Sequence, residues 1–156
     1  MLTIQPKNLD SQLDAEVGRF EKISSPSVAD VAPVADAIRA AFEENFDSES
    51  SAFGRWQGLS RSTQRDRERS GYPPTHSILV RRGTYKKSFT DAGSNDHVQE
   101  LDVDIAAWSL FVGSRHDFAR WHELGTGRMP ARPALPLNDV QESRIAERVI
   151  DFLRSA

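Results

Sequence analysis

The chain has 156 residues, no cysteine, 38% hydrophobic and 28% charged residues, and a formal net charge of −3. This length suits a single domain with its own core, and the lack of cysteine excludes a disulfide framework, a thiolate metal site and a thiol nucleophile. No apolar run approaches the roughly 18 residues that span a bilayer. The N-terminal residues also lack the pattern of a signal peptide, so we expect a cytoplasmic protein at synthesis with no membrane contact.

The charge is divided unevenly along the chain. Residues 1–54 carry a net charge of −6, residues 55–87 carry +7, and residues 88–156 carry −4. Such asymmetry informs about partners and association rather than about fold. Two interpretations of the basic segment 55–87 stay open, a solvated polar loop and a binding surface.

Two helices are predicted near the N-terminus, after a short edge strand at 2–4. The first covers 8–23, and the second begins at Asp30 with Pro33 in its first turn, or is kinked there. Both have the apolar spacing of helices that pack against a core. In the first helix the apolar residues are Leu9, Leu13, Val17 and Phe20. In the second they are Val31, Val34, Ala35, Ile38, Phe42 and Phe46.

Residues 47–76 are mostly polar and have weak periodicity, which predicts a long Arg-rich loop. Trp56 and Leu59 interrupt it and are expected to anchor a turn on the core. We expect residues 60–76 to be mobile in a free subunit and ordered in an assembly.

The rest of the chain predicts an antiparallel sheet followed by two helices. Strands are predicted at 78–80, 83–85, 88–89, 101–105 and 108–112. A short helix over 118–124 is expected to be capped by Asp117 and ended by Gly125. The proline-rich segment 129–136, which we call the strap, is expected to be extended.

The final helix is predicted to begin after Asn138 as its cap. Its inner face would carry Ile145, Val149, Phe152 and Leu153. The order of elements indicates an α+β fold, in which helices pack on one face of a small antiparallel sheet.

The motifs of known catalytic sites are incomplete in this sequence. His122 and Glu123 begin an H-E-x-x-H pattern, but Thr126 occupies the place of the second histidine. His116 would lie on a different helix face from His122. Asp102 and Asp104 share one strand face, where a solvated surface is the simpler explanation. We therefore predict no enzyme activity, no metal and no cofactor.

The cationic residues of the basic segment could instead neutralise phosphates. They are Arg61, Arg65, Arg67, Arg69, Arg81, Arg82, Lys86 and Lys87. The nearby aromatic residues Trp56, Tyr72 and Tyr85 are too few for a base-stacking platform. Non-specific contact with nucleic acid remains an alternative, and docking on an acidic neighbouring subunit is favoured.

Two strings of residues carry a family resemblance. The first runs from Trp56-x-x-Leu59-Ser60 through Gly83-x-Tyr85-x-x-Ser88, and the second is Phe118-Ala119-x-x-His122-Glu123-x-Gly125-Thr126-x-x-Met129-Pro130-Ala131-Arg132-Pro133-x-Leu135. Together they resemble the phage virion-morphogenesis family, the tail-completion proteins of Mu-like phages, and the second string is also similar to related tail-terminator and neck proteins. Ala134 stands where the family usually has a phenylalanine, so the packing beneath the strap should differ.

The resemblance implies a structural protein of the virion that completes or terminates the tail and joins it to the head. It would act as a homo-oligomeric ring, most simply a hexamer, with tail-tube and neck proteins as partners. A ring needs two different complementary faces on each subunit, and opposite charges would register them. Candidate interface residues are Trp56, Arg61, Arg65, Arg67, Arg69, Arg81, Arg82, Glu123, Arg128 and Arg132.

Arg132 has two interpretations at this point. It could donate a forked pair of hydrogen bonds to a carboxylate, with Glu123 as a partner within the chain, or to backbone carbonyls. Either arrangement would pin the strap to its own core, and an intersubunit role is the alternative.

Overall fold

A computed structural model describes residues 6–73, 76–105 and 107–156, with side chains from residue 11 onward. The fold is α+β, as predicted. The elements in chain order are α1 (Pro6–Ser24), α2 (Ala32–Ser48), β1 (Ser50–Ser51), β2 (Gly54–Arg55), α3 (Arg61–Arg69), α4 (Thr84–Thr90), β3 (His97–Val103), β4 (Trp108–Ser114), α5 (Ala119–Leu124) and α6 (Asp139–Ser155). The edge strand predicted at 2–4 lies outside the described residues.

Helix α2 is the centre of the core. Pro33 lies in its first turn, where a missing N–H removes no helical hydrogen bond. This confirms the predicted place of Pro33, although α2 begins at Ala32, two residues after the predicted start at Asp30. The ring of Phe46 packs edge-on against Trp56 and Tyr85, each at 5.6 Å between ring centres. Such aromatic pairs add to the stability gained from area burial alone.

The sheet that adjoins this core is the antiparallel pair β3–β4. Its register runs from His97 opposite Ser114 to Val103 opposite Trp108. The predicted strand at 108–112 is confirmed, whereas β3 begins four residues before and ends two residues before the predicted strand at 101–105. Val112 is buried in the core while Phe111, one residue before it, is exposed. This alternation is expected of a sheet with one covered face.

The predicted strands at 78–80, 83–85 and 88–89 are wrong. Gly83 has φ +75° and precedes helix α4, and the side chains of Tyr85, Ser88 and Phe89 are buried. These three positions are spaced as i, i+3 and i+4, which is the pattern of one helical face. The helical spacing was not recognised from the sequence because the helix has only seven residues.

The loop predicted over 47–76 is also wrong as a description of structure. The segment contains the β1–β2 hairpin and helix α3. Ser60 caps α3, since its side-chain oxygen accepts a hydrogen bond from the Thr63 N–H at 3.2 Å. The weak apolar periodicity misled the prediction because α3 is held mainly by polar contacts. How mobile the segment is in solution stays a separate prediction.

Helix α1 confirms the predicted helix but not its burial. Leu13, Val17 and Phe20 are 54%, 55% and 71% exposed. Their spacing gives one apolar helical face, which we call the α1 stripe, and the predicted packing of this face against the chain's own core is wrong. The pattern alone cannot tell a face buried in its own chain from one that awaits a partner.

The C-terminal part follows the prediction closely. The side chain of Asn138 accepts hydrogen bonds from the Val140 and Gln141 N–H groups, and Gln141 bonds back to the Asn138 N–H, which completes a capping box. On α6 Phe152 is buried while Leu153 is 37% exposed, so Leu153 does not belong to the inner face. Helix α5 ends at Gly125 as predicted. Asp117 does not cap it, because the N-cap residue is Phe118.

Within the described residues, the longest helices are too polar to cross a membrane.

Candidate functional site: an arginine-lined cleft

A cleft of about 870 Å³ opens between α3, the turn before α4, helix α5 and the strap. Five arginines from these different elements line it, and no aspartate or glutamate does so among the described residues. We call this feature the arginine cleft. The arginines are Arg67, Arg81, Arg82, Arg128 and Arg132. Its apolar walls include Leu59, Leu79, Phe118, Met129 and Pro130.

Gly125 makes the sharp turn that brings the strap to one side of the cleft. Its φ is +71°, a region that residues with a Cβ rarely adopt. A Cβ placed there would lie 2.7 Å from the backbone nitrogen of Ala131 and 3.0 Å from the carbonyl oxygen of Met129. The position therefore requires glycine for both conformation and space.

Glu123 fixes the strap from beneath. Its carboxylate accepts hydrogen bonds from the Ala134 N–H at 2.8 Å and the Leu135 N–H at 3.3 Å. Burial raises the pKa of Glu123 above its ordinary value, and these two N–H donors act in the opposite direction. Glu123 thus satisfies backbone donors that an extended strap leaves without partners.

Arg132 joins the strap to the segment before α3. Its Nε donates to the Gln57 carbonyl at 2.8 Å, and its Nη2 donates to the Gly58 carbonyl at 3.1 Å. Of the two predicted partners, backbone carbonyls are therefore confirmed and Glu123 is not the partner. Trp56 adds a further tie, because its indole N–H donates to the Pro133 carbonyl at 2.9 Å.

Arg67 performs the equivalent task on the opposite side of the cleft. Its Nη1 donates to the carbonyls of His76 and Ser77, each at 3.0 Å. These bonds fasten helix α3 to the segment that leads into α4. The two arginines Arg67 and Arg132 thereby shape the cleft as well as charge it.

The charges of these two arginines are unusual because both side chains are deeply buried. Arg67 is 7% exposed and Arg132 is 5% exposed, yet neither makes an ion pair with any carboxylate of the described residues. Burial lowers the pKa of each, the charge of Arg81 lowers that of Arg67 further, and the charge of Arg67 lowers that of Arg132. Glu49 offsets part of this at Arg67. Buried charges are normally paired. Among the cleft arginines only Arg81 has a carboxylate partner within the described residues, Asp66 at 3.3 Å, so the positive charge of the cleft is only partly matched.

Two histidines line the same cleft. Burial lowers the pKa of His122, and the nearby Arg132 and His116 lower it further. The ring of Tyr85 lies 4.9 Å from that of His122 and 5.6 Å from that of His116. Burial, followed by the charge of Glu123, raises the pKa of the Tyr85 hydroxyl. The pKa shifts of His122 and Tyr85 therefore both favour the neutral form of the side chain beside a cationic centre.

The structure brings together half of the residues predicted from the sequence as interface candidates. Arg67, Arg81, Arg82, Arg128 and Arg132 meet in the cleft. Arg61, Arg65 and Arg69 lie exposed on α3 and do not line it.

Three of the predicted interface side chains are buried within the chain. Trp56, Arg67 and Arg132 are each at most 7% exposed, so only a small part of each side chain faces solvent, and their role as interface residues stays a prediction. Glu123 is likewise turned beneath the strap. The place of Leu79 and of the two histidines in the cleft was not predicted from the sequence. Leu79 has φ +63°, and no sequence signal marks a leucine in that conformation.

The chemistry available in the cleft is recognition of an anion. Guanidinium groups bind carboxylates and phosphates through paired N–H donors. The apolar walls suit a ligand that also carries aliphatic groups. The described residues contain no group of three or more histidine, aspartate or glutamate side chains that could hold a metal ion.

Comparison with known proteins found no match to the chain among family models, curated proteins or solved structures.

Proposed function

We propose that the chain is a structural phage protein that completes or terminates the tail and joins it to the head, acting as a homo-oligomeric ring. The resemblance of residues 118–135 to tail-completion and neck proteins is the sequence support for this role. On this proposal it transforms no molecule, and its partners are copies of itself, the tail tube and the neck proteins.

The observation that carries the proposal is the α1 stripe. Leu13, Val17 and Phe20 project from one helical face and are all more than half exposed. A contiguous apolar face on a small protein marks a site of contact with another protein. A subunit that works by assembly has a use for such a face.

The residues of the resembling motif support a structural role. Gly125 makes the turn, Glu123 accepts two strap N–H groups, and Arg132 donates to two carbonyls. Each of these residues holds the backbone in place. The motif therefore builds a rigid feature of the surface.

Tail assembly with and without the chain tests the proposal. We expect that tails made without it are of irregular length or fail to join heads, and that adding the purified chain restores joining. Negative-stain imaging of both samples is the measurement. Tails that end and join normally without the chain would contradict the proposal.

The α1 stripe gives a sharper version of the same test. The variant Leu13→Ser/Val17→Ser/Phe20→Ser should remain folded, because these side chains contribute little to the core, but should fail to restore joining. Its control is Asp14→Asn/Glu16→Gln, which changes two exposed polar residues of the same helix. A stripe variant that restores joining as well as the control would remove the main structural support.

A second candidate function is contact with nucleic acid through α3. Arg61, Arg65 and Arg69 recur every fourth residue, so they share one exposed helical face. Binding of DNA through them should weaken steeply with salt, because phosphate contacts release counterions. Arg61→Gln/Arg65→Gln/Arg69→Gln should reduce that salt slope by about three. A filter-binding series over salt concentration measures both, and an unchanged slope would exclude this surface.

A further inference from the structure

We propose that the arginine cleft of each subunit receives the β3–β4 hairpin tip of a second copy of this chain. The tip consists of Asp102, Val103, Asp104 and Ile105. This inference rests on the proposed assembly role and names the contact that would make it.

The first step is the state of the cleft. It contains two guanidinium groups, Arg67 and Arg132, that are more than nine-tenths buried and bond only to neutral carbonyls among the described residues. Two further arginines, Arg82 and Arg128, lie exposed at its edge. A site that confines positive charge without a matching carboxylate is built to accept an anionic group.

The second step is the chemistry of the tip. Ile105 is 100% exposed and Val103 is 39% exposed. Asp102 and Asp104 are exposed as well, and neither makes an ion pair with another described residue. The tip thus alternates two carboxylates with two aliphatic side chains, and it ends a paired strand ladder that holds it in shape.

The third step is their complementarity. Carboxylates fit the guanidinium groups of the cleft, and the aliphatic side chains fit its apolar walls, such as Leu59, Leu79 and Met129. A sugar-phosphate strand would satisfy the charges but not these walls. The tip does not line the cleft of its own chain, so the tip that fills it comes from another copy.

The fourth step is the symmetry of the contact. A tip that enters a cleft joins two different surfaces, so two copies can exchange tips in a two-fold dimer or the contact can propagate from copy to copy, and the ring proposed above requires propagation. The propagating contact closes into a ring if the rotation between copies permits. The same contact also relieves the unmatched charge of both surfaces.

The test uses two charge-reversed variants that are mixed. The tip variant is Asp102→Lys/Asp104→Lys, and the cleft variant is Arg82→Glu/Arg128→Glu. All four side chains are exposed, so both variants should fold. Each variant alone should associate about 100-fold more weakly than the original chain, because like charges then face each other.

The mixture separates this contact from every other mode of assembly. The tip variant retains an intact cleft and the cleft variant retains an intact tip, and the new lysines of one face the new glutamates of the other. An equimolar mixture should therefore associate again, with the two variants in equal numbers. Native mass spectrometry with one variant isotope-labelled measures this. The matched control, Arg55→Glu/Arg148→Glu, reverses two exposed charges outside the cleft and should assemble like the original chain. Variants that assemble alone as the original chain does, or a mixture that forms no pair, would overturn the proposal.

Cross-linking covers the case of weak association. Because the chain has no cysteine, Ile105→Cys on one copy and Arg128→Cys on another are the only thiols in a mixture. A short bismaleimide should join them at least about tenfold faster than it joins Ser155→Cys to Arg128→Cys, since bound copies have a raised effective concentration. Equal rates for the Ile105→Cys and Ser155→Cys reactions would overturn the proposal. This result would count even if the purified chain is a monomer. If Ile105→Cys and Ser155→Cys react with Arg128→Cys at the same rate, and inorganic phosphate slows both reactions, the cleft would be assigned to a free anion instead.

The outcomes distinguish the contact from the proposed function. A paired mixture from a chain that never enters a particle would keep the contact and reject the function. Normal tails made with both variants alone would keep the function and reject the contact.

Discussion

Gly125 shows how one residue controls the site. A side chain at this position would combine a left-handed backbone with a contact of 2.7 Å to the Ala131 nitrogen. We predict that Gly125→Ala lowers the free energy of unfolding by about 2 kcal/mol or more. Chemical denaturation measures the change.

The control for this prediction lies two residues further on. A Cβ at Gly127 would have no heavy atom within 4 Å among its described neighbours. Gly127→Ala should therefore change stability by no more than about 0.5 kcal/mol. Equal losses in both variants would show that the turn at Gly125 does not hold the strap.

His122 reports the electrostatics of the cleft. Burial, Arg132 and His116 place its pKa below the ordinary value of 6.5. The unfolded chain then binds a proton more readily than the folded chain, so this group's contribution to stability is complete above pH 6.5 and is lost as the pH falls through the lowered pKa. A proton NMR titration, in which only four histidines contribute, measures the pKa.

Substitution of the same histidine checks the sign. In His122→Gln the stability should fall less steeply below pH 6.5 than in the original chain. A His122 pKa at or above 6.5 in the free chain would contradict the positive potential assigned to the cleft.

At the scale of single residues the sequence predicted some roles well. The glycine at 125 and the cap at Asn138 were predicted, whereas the cap at Ser60 was not, although serine is a residue type preferred at that position. The sequence could not decide whether Arg132 donates hydrogen bonds to a carboxylate or to backbone carbonyls, because its partners Gln57 and Gly58 lie more than 70 residues away along the chain. Long-range polar contacts of this kind leave no local pattern.

Helix α3 is the element that most depends on its cap. Its residues are almost wholly polar, so little apolar burial supports it, and Ser60 accepts the Thr63 N–H at its start. We predict that Ser60→Ala costs about 1 kcal/mol and weakens hydrogen-exchange protection within Arg61–Arg69.

Glu68→Ala is the matched control, because Glu68 lies exposed within α3 and does not cap it. Protection lost equally in both variants, or in neither, would show that the cap does not decide the stability of α3.

The failures of sequence prediction at this scale have a common cause. Hydrophobic period predicts an element only where apolar burial holds it, which is true of α2, β3, β4 and α6. Helix α3 is held by a cap and by Arg67, while α4 is too short to display its period. For α1 the spacing of apolar residues predicted the helix correctly, but the prediction that its apolar face packs against the chain's own core was wrong.

The whole molecule combines a well-packed centre with surfaces that are incomplete in a single copy. The core around Phe46 is closed, whereas the α1 stripe is apolar and exposed. Four of the five cleft arginines have no carboxylate partner among the described residues, and the hairpin tip carries two exposed carboxylates. We predict that the purified chain associates in a concentration-dependent way and that salt weakens this association, because opposite charges between the copies are screened. Sedimentation velocity at low and high salt measures this, and association that salt strengthens would point to the α1 stripe instead.

Cryo-electron microscopy of the neck of intact particles tests the central claim most directly. The account predicts a ring at the junction of tail and head, in which every subunit has the fold described and places its arginine cleft against a neighbouring copy. Particles whose tail end and neck are fully built from other chains would contradict it.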